Sequence, residues 1–167
     1  SSDLIDMNIF ILHESAPLAA AMHCDKHVVK MVLETAQILA TVHHIHGNGA
    51  AVKYKPTHTK HPCVQWAAES VLNYRWLRTL GLHLAHEYKK RYNKFHACHE
   101  LFLGELSDVP PALTSARVTS FALAMPDHCK TSDPVESYRN YYRHKRDTTS
   151  WMSWEKSNYG MPSWMAK

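Results

Sequence analysis

Glycine is scarce, with five residues in a chain of 167, and three common nucleotide or hydrolase signatures are missing. There is no glycine-rich phosphate loop, no Walker lysine and no serine-centred elbow. Kinase, NTPase, dinucleotide-binding and α/β-hydrolase functions therefore lose their main sequence support. No apolar run approaches the ~20 residues that span a bilayer, so we expect no membrane partner. The acidic, polar start lacks the basic region of a signal peptide.

Cysteine is also infrequent, and its four positions never form a CxxC pair. The residues are scattered along the chain at Cys24, Cys63, Cys98 and Cys129. A chain of this length can bury an adequate core without disulfides. We therefore predict free thiols and a reducing compartment, the cytoplasm.

The composition indicates a globular, mainly α-helical protein. Hydrophobic residues make up 45 % and charged residues 20 %, and the net charge is +4. We predict a single compact multi-helix domain over residues 7–167, with residues 8–13 as a short strand or an extended segment. Residues 1–6 read as an appended remnant or a disordered arm.

Capping residues and prolines divide the chain into helices. Ser15 and Pro17 predict one helix start, and the pair Asp133-Pro134 predicts another. The predicted helices cover residues 15–46, 62–91, 96–106 and 133–147. Asp25 also offers a cap, which would split the first of these helices in two.

The strongest candidate site lies at residues 25–34. The spacing of Lys26, Lys30 and Glu34 puts them on one helical face, beside Asp25 and His27. Repulsion between cations lowers the pKa of an amine and so makes a neutral nucleophile available. A nearby carboxylate can activate water or stabilise a cationic transition state. The alternative is a solvated face of ion pairs.

Two histidine-rich segments carry weaker signals. His58, His61 and Cys63 are residue types that bind zinc, but their spacing is not that of a standard finger. The alternative is that His61 hydrogen-bonds the turn before the following helix. Residues 96–100 lack the histidine pair of a zincin helix. A nucleophile pair of Cys98 and His99 is also disfavoured, because sequence neighbours do not face one another on a helix. We therefore expect no metal or other cofactor, with zinc as the alternative.

The C-terminal third interleaves aromatic and basic residues. Basic side chains contact phosphates, and aromatic rings stack on bases. The candidate residues for this role are Tyr138, Arg139, Tyr142, Arg143 and Trp151. The alternative is that the tyrosines belong to the core and the basic residues solvate the outer face.

Several stretches of the chain form a recognisable pattern. They are Met7-Asn8-Ile9-Phe10, then Asp25-Lys26-His27 with Lys30, Glu34 and Gln37-Ile38-Leu39, and parts of residues 54–66, 121–126 and 133–142. In these stretches the chain resembles phage and bacterial proteins related to the pyrimidine-dimer DNA glycosylases, the endonuclease V-like family. The resemblance implies a compact helical fold, DNA as partner and a bacterial or phage-infected cytoplasm. It also implies attack on the glycosidic carbon of a flipped nucleotide, followed by a covalent imine and strand cleavage.

One departure bears on the nucleophile. The family's endonuclease uses the α-amine exposed when its initiator Met is removed beside a small residue. Here Met7 is followed by Asn8, a poor context for that removal. We therefore expect Lys26 or Lys30 as the nucleophile, with Glu34 or Asp25 as its acidic partner.

These residues lead to a DNA glycosylase hypothesis, with or without lyase activity, on damaged or modified pyrimidines. In it, His58 and His61 line the pocket and the C-terminal residues grip DNA. One alternative is a non-catalytic nucleic-acid or protein binder, such as a phage accessory protein. Another is a hydrolase or transferase acting on free nucleosides or nucleotides.

Overall fold

The structure is a computed structural model that describes residues 7–167, and this part of the chain is helical without strands. Its helices are α1 (Ala16–Met22), α2 (Asp25–Ile45), α3 (Pro62–Glu69), α4 (Val71–Tyr92), α5 (His99–Leu103) and α6 (Pro134–Thr148). Short 3-10 turns lie at Gly49–Ala51, Asp127–Cys129 and Ser163–Ala166. The mainly α prediction is confirmed, whereas the prediction for residues 1–6 lies outside the described residues.

Residues 8–13 form an extended segment rather than a strand. The Asn8 side-chain amide donates to the carbonyl of Ala124 at 2.9 Å, and Arg139 Nε donates to that of Leu12 at 3.0 Å. Ile9, Leu12 and their apolar neighbours are buried. Side-chain hydrogen bonds to and from distant parts of the chain thus hold this segment in the core, in place of a β ladder.

The first predicted helix is split, as the alternative proposed. Ser15 caps α1 by accepting from the Leu18 N–H, and α1 ends at Met22. His23 and Cys24 are extended, and α2 begins at Asp25. Cys24 holds the N-cap position, so Asp25 is the first helical residue and not the cap.

The predicted helix over residues 62–91 is also divided, at Ser70, and that prediction was wrong. Ser70 has extended backbone dihedrals, and its hydroxyl accepts from the Leu72 N–H at 3.1 Å. The Val71 N–H donates to the Ser115 carbonyl at 2.7 Å. A long-range backbone partner thus satisfies an amide that a continuous helix would have used.

Helix α4 is the central element and packs against α1, α2, α3 and α5. Gly81 of α4 lies directly against two neighbouring helices. A Cβ at this position would lie 2.8 Å from Thr35 Cγ2 of α2 and would collide with the Phe102 ring of α5. The glycine therefore permits tight packing of three helices.

The last two helices differ in how well the sequence predicted them. Helix α5 is shorter than residues 96–106, because His96 Nδ1 accepts from the Cys98 N–H and forms a turn there instead. Helix α6 begins as predicted: the Asp133 carboxylate accepts from the Val135 N–H at 3.0 Å. It ends at Thr148, one residue past the prediction.

The four cysteines are free and buried, as predicted. They belong to one contiguous apolar core that extends through the helices of residues 7–167. No helix in this part of the chain has the length and apolar character needed to cross a membrane.

Candidate functional site

A cleft of about 250 Å³ opens between the extended N-terminal segment, α2, α6 and the segment after α6. We call it the central cleft. Its lining comprises Asn8, Phe10, Lys26, His27, Lys30, Met31, Glu34, Tyr141, Lys145 and Trp151. The cleft thus combines amines, one carboxylate and aromatic rings.

Helix α2 supplies half of this lining through its helical repeat. Lys26, Lys30 and Glu34 follow one another at intervals of four residues and share a face. Lys30 Nζ lies 3.8 Å from Glu34 Oε2, with the lysine side chain 44 % exposed and the glutamate side chain 12 % exposed. The sequence predicted this shared face. The low exposure of the Glu34 side chain differs from the alternative, a solvated face of ion pairs.

Helix α6 brings a third amine, Lys145, which the sequence analysis did not identify as a site residue. Its Nζ lies 4.6 Å from the centre of the Tyr141 ring and 5.8 Å from that of Phe10. The residue is 8 % exposed. Its position four residues after Tyr141 indicates that the two side chains share a helical face. Its burial beside Phe10 depends on the tertiary fold, which the sequence pattern does not report.

Aromatic rings form one wall of the central cleft. The Phe10 ring stacks on the His27 ring at 4.5 Å with an interplanar angle of 22°. Trp151 lies 5.3 Å from the His27 ring, and Lys26 Nζ lies 5.8 Å from the Trp151 ring. The structure therefore brings Trp151 together with the predicted residues of α2. Such faces are suited to stacking on a nucleobase.

A second cleft of about 480 Å³, the lateral cleft, adjoins the first. The two share Asn8, Tyr141 and Lys145. His61 lines the lateral cleft and also caps α3 by accepting from the Cys63 N–H at 3.0 Å. His58 lies in the exposed loop before α3 and lines neither cleft, so only one of the two predicted histidines is part of a cleft wall.

Asp25 lies apart from the central cleft. Its carboxylate accepts from Arg91 Nη1 at 3.2 Å and from the Lys156 N–H at 3.2 Å, and the residue is buried. Arg91 also pairs with Glu87 at 3.0 Å. This buried network joins the start of α2 to the end of α4. Glu34 is therefore the carboxylate that the fold places beside the lysines.

The predicted DNA-gripping residues of α6 occupy structural positions. The rings of Tyr138 and Tyr142 are completely buried. Arg139 and Arg143 lie over the Trp164 ring at 5.0 and 5.8 Å, and Arg143 donates to the Trp164 carbonyl. The buried tyrosines agree with the core alternative. The two arginines do not simply solvate the outer face, because they attach the C-terminal segment and residues 8–13 to α6.

Within residues 7–167, no group of three or more His, Cys, Asp or Glu side chains is arranged to hold a metal ion. His58, His61 and Cys63 do not converge. Cys63 is buried, and its thiol donates to Asn8 Oδ1 at 3.8 Å. Burial raises the pKa of this thiol to about 11.

The central cleft can support nucleophilic chemistry at a sugar carbon. A lysine amine can form an imine with a carbonyl carbon or an oxidised sugar carbon. A carboxylate within one helical turn can accept a proton or stabilise positive charge on the sugar. The neighbouring aromatic rings can hold a base that has left the stack.

The comparisons with known proteins give one match. A family model described as pyrimidine dimer DNA glycosylase matches residues 7–100. The match takes in the extended N-terminal segment and α2, whereas Lys145 and Trp151 lie beyond it. Neither the curated proteins nor the solved structures gave a significant match.

The chain belongs to the pyrimidine dimer DNA glycosylase family, because the match covers more than half of its length. Membership supports, at the level of the family, a glycosylase function with DNA as the substrate. The sequence-based resemblance is thereby confirmed.

Proposed function

We propose that this protein is a DNA glycosylase that excises a damaged or modified pyrimidine and then cleaves the strand as an AP lyase. The Lys30 amine is the nucleophile of first choice and Lys26 the second, with Glu34 as the acidic partner. The observation that carries the proposal is the 3.8 Å pairing of Lys30 with a deeply placed carboxylate in an aromatic-lined cleft.

The reaction begins with a nucleotide rotated out of the duplex into the central cleft. Phe10, His27 and Trp151 offer ring faces and edges to the base, which compensate for lost stacking. A damaged or mispaired base costs less to extrude, which favours such bases as targets.

The amine then attacks C1′, a C–N bond forms, and the glycosidic bond breaks. The pyrimidine leaves with the bonding electrons and takes up a proton. The sugar ring opens to an imine that joins C1′ to the lysine. Loss of a C2′ proton then expels the 3′ phosphate and cleaves the strand, and water releases the enzyme from the imine.

Glu34 has two roles in this sequence. Its carboxylate accepts a proton from the lysine ammonium group, one helical turn away, and so releases the neutral amine that attacks C1′. It also stabilises positive charge on the sugar as the glycosidic bond weakens. Asp25 takes no part, because its carboxylate is engaged by Arg91.

The test is borohydride trapping on labelled duplexes that are undamaged, UV-irradiated, uracil-containing or hydroxymethyl-modified. Borohydride reduces an imine to a stable amine, so a bifunctional glycosylase becomes linked to its own substrate. We expect an adduct on one duplex class, lost in Lys30→Ala or, failing that, in Lys26→Ala. Lys89→Ala is the matched control, because Lys89 lies on α4 away from both clefts.

The outcomes separate the alternatives. An adduct that survives in both variants would remove Lys26 and Lys30 as nucleophiles and direct the search to Lys145. Base excision without an adduct would mean a monofunctional glycosylase. Neither product on any duplex would contradict the proposal, and turnover of free nucleosides in parallel reactions would identify a nucleoside enzyme instead.

A further inference from the structure

The hydroxyl of Tyr142 has a fixed set of neighbours. Its oxygen accepts from the Cys24 backbone N–H at 3.1 Å and lies 2.8 Å from His27 Nδ1. The Cys24 thiol sulfur is 3.6 Å away. Burial raises the pKa of Tyr142 well above its usual value, so the hydroxyl keeps its one proton.

That proton has two acceptors within reach, and the geometry favours His27. An imidazole nitrogen at 2.8 Å is a stronger acceptor than a thiol sulfur at 3.6 Å. His27 itself is neutral, since burial, and then His23, Lys145 and Lys30, lower its pKa well below the ordinary value. When Nδ1 accepts, the proton of a neutral imidazole is on Nε2.

The His27 ring lies between the core and the central cleft. Nδ1 faces the buried Tyr142, while the residue contributes to the lining of the cleft. Because the two nitrogens lie on different edges of the ring, an Nδ1 directed at Tyr142 leaves the Nε2 edge toward the cleft. Phe10 stacks on one face of the ring, and Trp151 lies near it, so the ring has little freedom to turn.

We propose that His27 presents Nε2–H to the central cleft as a neutral donor that recognises a carbonyl oxygen of the pyrimidine base, with Tyr142 as the positioning residue that sets this tautomer. The inference rests on the proposed function and deepens it. Every pyrimidine carries O2 next to the glycosidic bond, where negative charge builds up as the base leaves. A donor at O2 binds the base and also stabilises its departure.

The charge of the cleft explains why a neutral donor is useful. Lys26, Lys30 and Lys145 already bring three cations, and a charged imidazolium would add a fourth beside them. A neutral N–H instead orients the base through a hydrogen bond and adds no charge repulsion to the three lysines. An N–H donor also binds a carbonyl oxygen in preference to an amino group, such as the one that adenine or cytosine carries.

The first test is independent of catalysis. Long-range proton–nitrogen correlation spectra of the ¹⁵N-labelled full chain distinguish a protonated from an unprotonated ring nitrogen, and His27→Gln assigns the signals. We expect Nε2 protonated and Nδ1 unprotonated, with a mixture of tautomers in Tyr142→Phe. A proton on Nδ1 in the unaltered chain would overturn the inference.

The second test uses base excision in single turnovers, with thermal unfolding to confirm that each variant is folded. We expect His27→Leu to lower the rate roughly tenfold to a hundredfold, the effect of losing one hydrogen bond to developing charge. His27→Gln should recover part of the loss, because its amide offers a donor at a similar reach. Tyr142→Phe should give an intermediate decrease.

Thio-substituted substrates identify the atom that is recognised. Sulfur in place of O2 is a poorer acceptor, so the substitution should slow the unaltered chain and have little further effect in His27→Leu. Equal O2-to-sulfur effects in both proteins would overturn the inference while excision itself continues. The absence of excision by the unaltered chain as well as by every variant would instead be the failure of the proposed function.

Discussion

At the residue scale, Glu34 is the group whose removal separates catalysis from folding most cleanly. Its side chain is 12 % exposed and pairs with the partly exposed Lys30. A carboxylate that is largely shielded from water interacts more strongly with developing charge than an exposed one, because the effective dielectric constant is lower there. The same pair contributes little to the free energy of unfolding, because solvent screens the lysine.

We expect Glu34→Gln to lower single-turnover base excision roughly 10²- to 10⁴-fold, the usual effect of removing a general acid or base. The amide has the same shape, so the thermal unfolding midpoint should stay close to that of the unaltered chain. Glu69→Gln, at the exposed end of α3, is the control and should retain full activity. An unchanged rate in Glu34→Gln would exclude the carboxylate from the reaction.

His23 gives a prediction about pH. It is completely buried, its Nδ1 bonds the Ala19 carbonyl at 2.7 Å, and burial lowers its pKa to about 4. The unfolded chain binds a proton near pH 6.5 and the folded chain does not until about pH 4. The contribution of His23 to the free energy of unfolding is therefore fully present above pH 6.5. It decreases as the pH falls toward 4, by roughly 3 kcal/mol in total.

The measurement is urea unfolding at a series of pH values between 4 and 7. His23→Gln should lower stability at neutral pH but flatten its decline toward acid. His58→Gln, in an exposed loop, should keep the original slope. Identical slopes in His23→Gln and the unaltered chain would show that His23 is not the source of acid sensitivity.

At the element scale, Arg91 connects three helix ends. It donates to Asp25 at 3.2 Å, to Glu87 at 3.0 Å and to two carbonyls at the end of α1, those of Ala21 and His23. Its side chain is 1 % exposed. Because Asp25 is the first residue of α2, this network fixes where the helix begins and hence where Lys26 and Lys30 point.

We expect Arg91→Met to lower the free energy of unfolding by roughly 3–5 kcal/mol, since it leaves the buried Asp25 carboxylate without its cation and Glu87 with only the partly exposed Lys90. Urea unfolding at pH 7 measures this. Lys130→Met is the matched control, because the Lys130–Asp127 pair is on the surface and should change stability by less than about 1 kcal/mol. Similar costs for the two variants would contradict the structural role given to Arg91.

Helix boundaries were predictable where the signal was local. The start of α6 follows from Asp133 and Pro134, because a carboxylate cap and a proline in the first turn act within four residues. The break at Ser70 was not predictable, since the Val71 amide is satisfied by Ser115, 44 positions along the chain. Local propensity favoured a continuous helix, and a tertiary hydrogen bond overrode it.

At the scale of the whole molecule, charge bears on DNA binding. The chain carries a net +4, and three of its lysines meet in the central cleft. Each phosphate neutralised by a cation releases counterions, so log affinity falls by about 0.9 per contact for each unit of log salt. The arginines of α6 bond carbonyls of the C-terminal segment and of Leu12, so among the cations near the site we take the cleft lysines as the candidates for phosphate contacts.

We expect the salt slope for a pyrimidine-damaged duplex to decrease by about 1–2 when Lys26 and Lys30 are both replaced by alanine. Fluorescence anisotropy at several salt concentrations measures it. The Lys89→Ala variant should keep the original slope. A slope that is unchanged in the double variant would mean that DNA binds on another face of the molecule.

By itself, the sequence determined the mainly helical class, the free thiols, the cap of α6 and the shared face of Lys26, Lys30 and Glu34. These features depend on interactions within a few residues, which periodicity and composition report directly. Only the tertiary structure decided which carboxylate faces the lysines. Asp25 pairs with Arg91, 66 positions away, while Glu34 remains at the cleft.

The fold alone also placed Lys145 beside Phe10 and directed Tyr142 toward His27. Both contacts join segments more than 100 residues apart in sequence. Such contacts form because burial of a continuous apolar core brings distant segments together, and helical periodicity carries no information about which segments meet. The composition of the site could be predicted in part, whereas its geometry required the packed molecule.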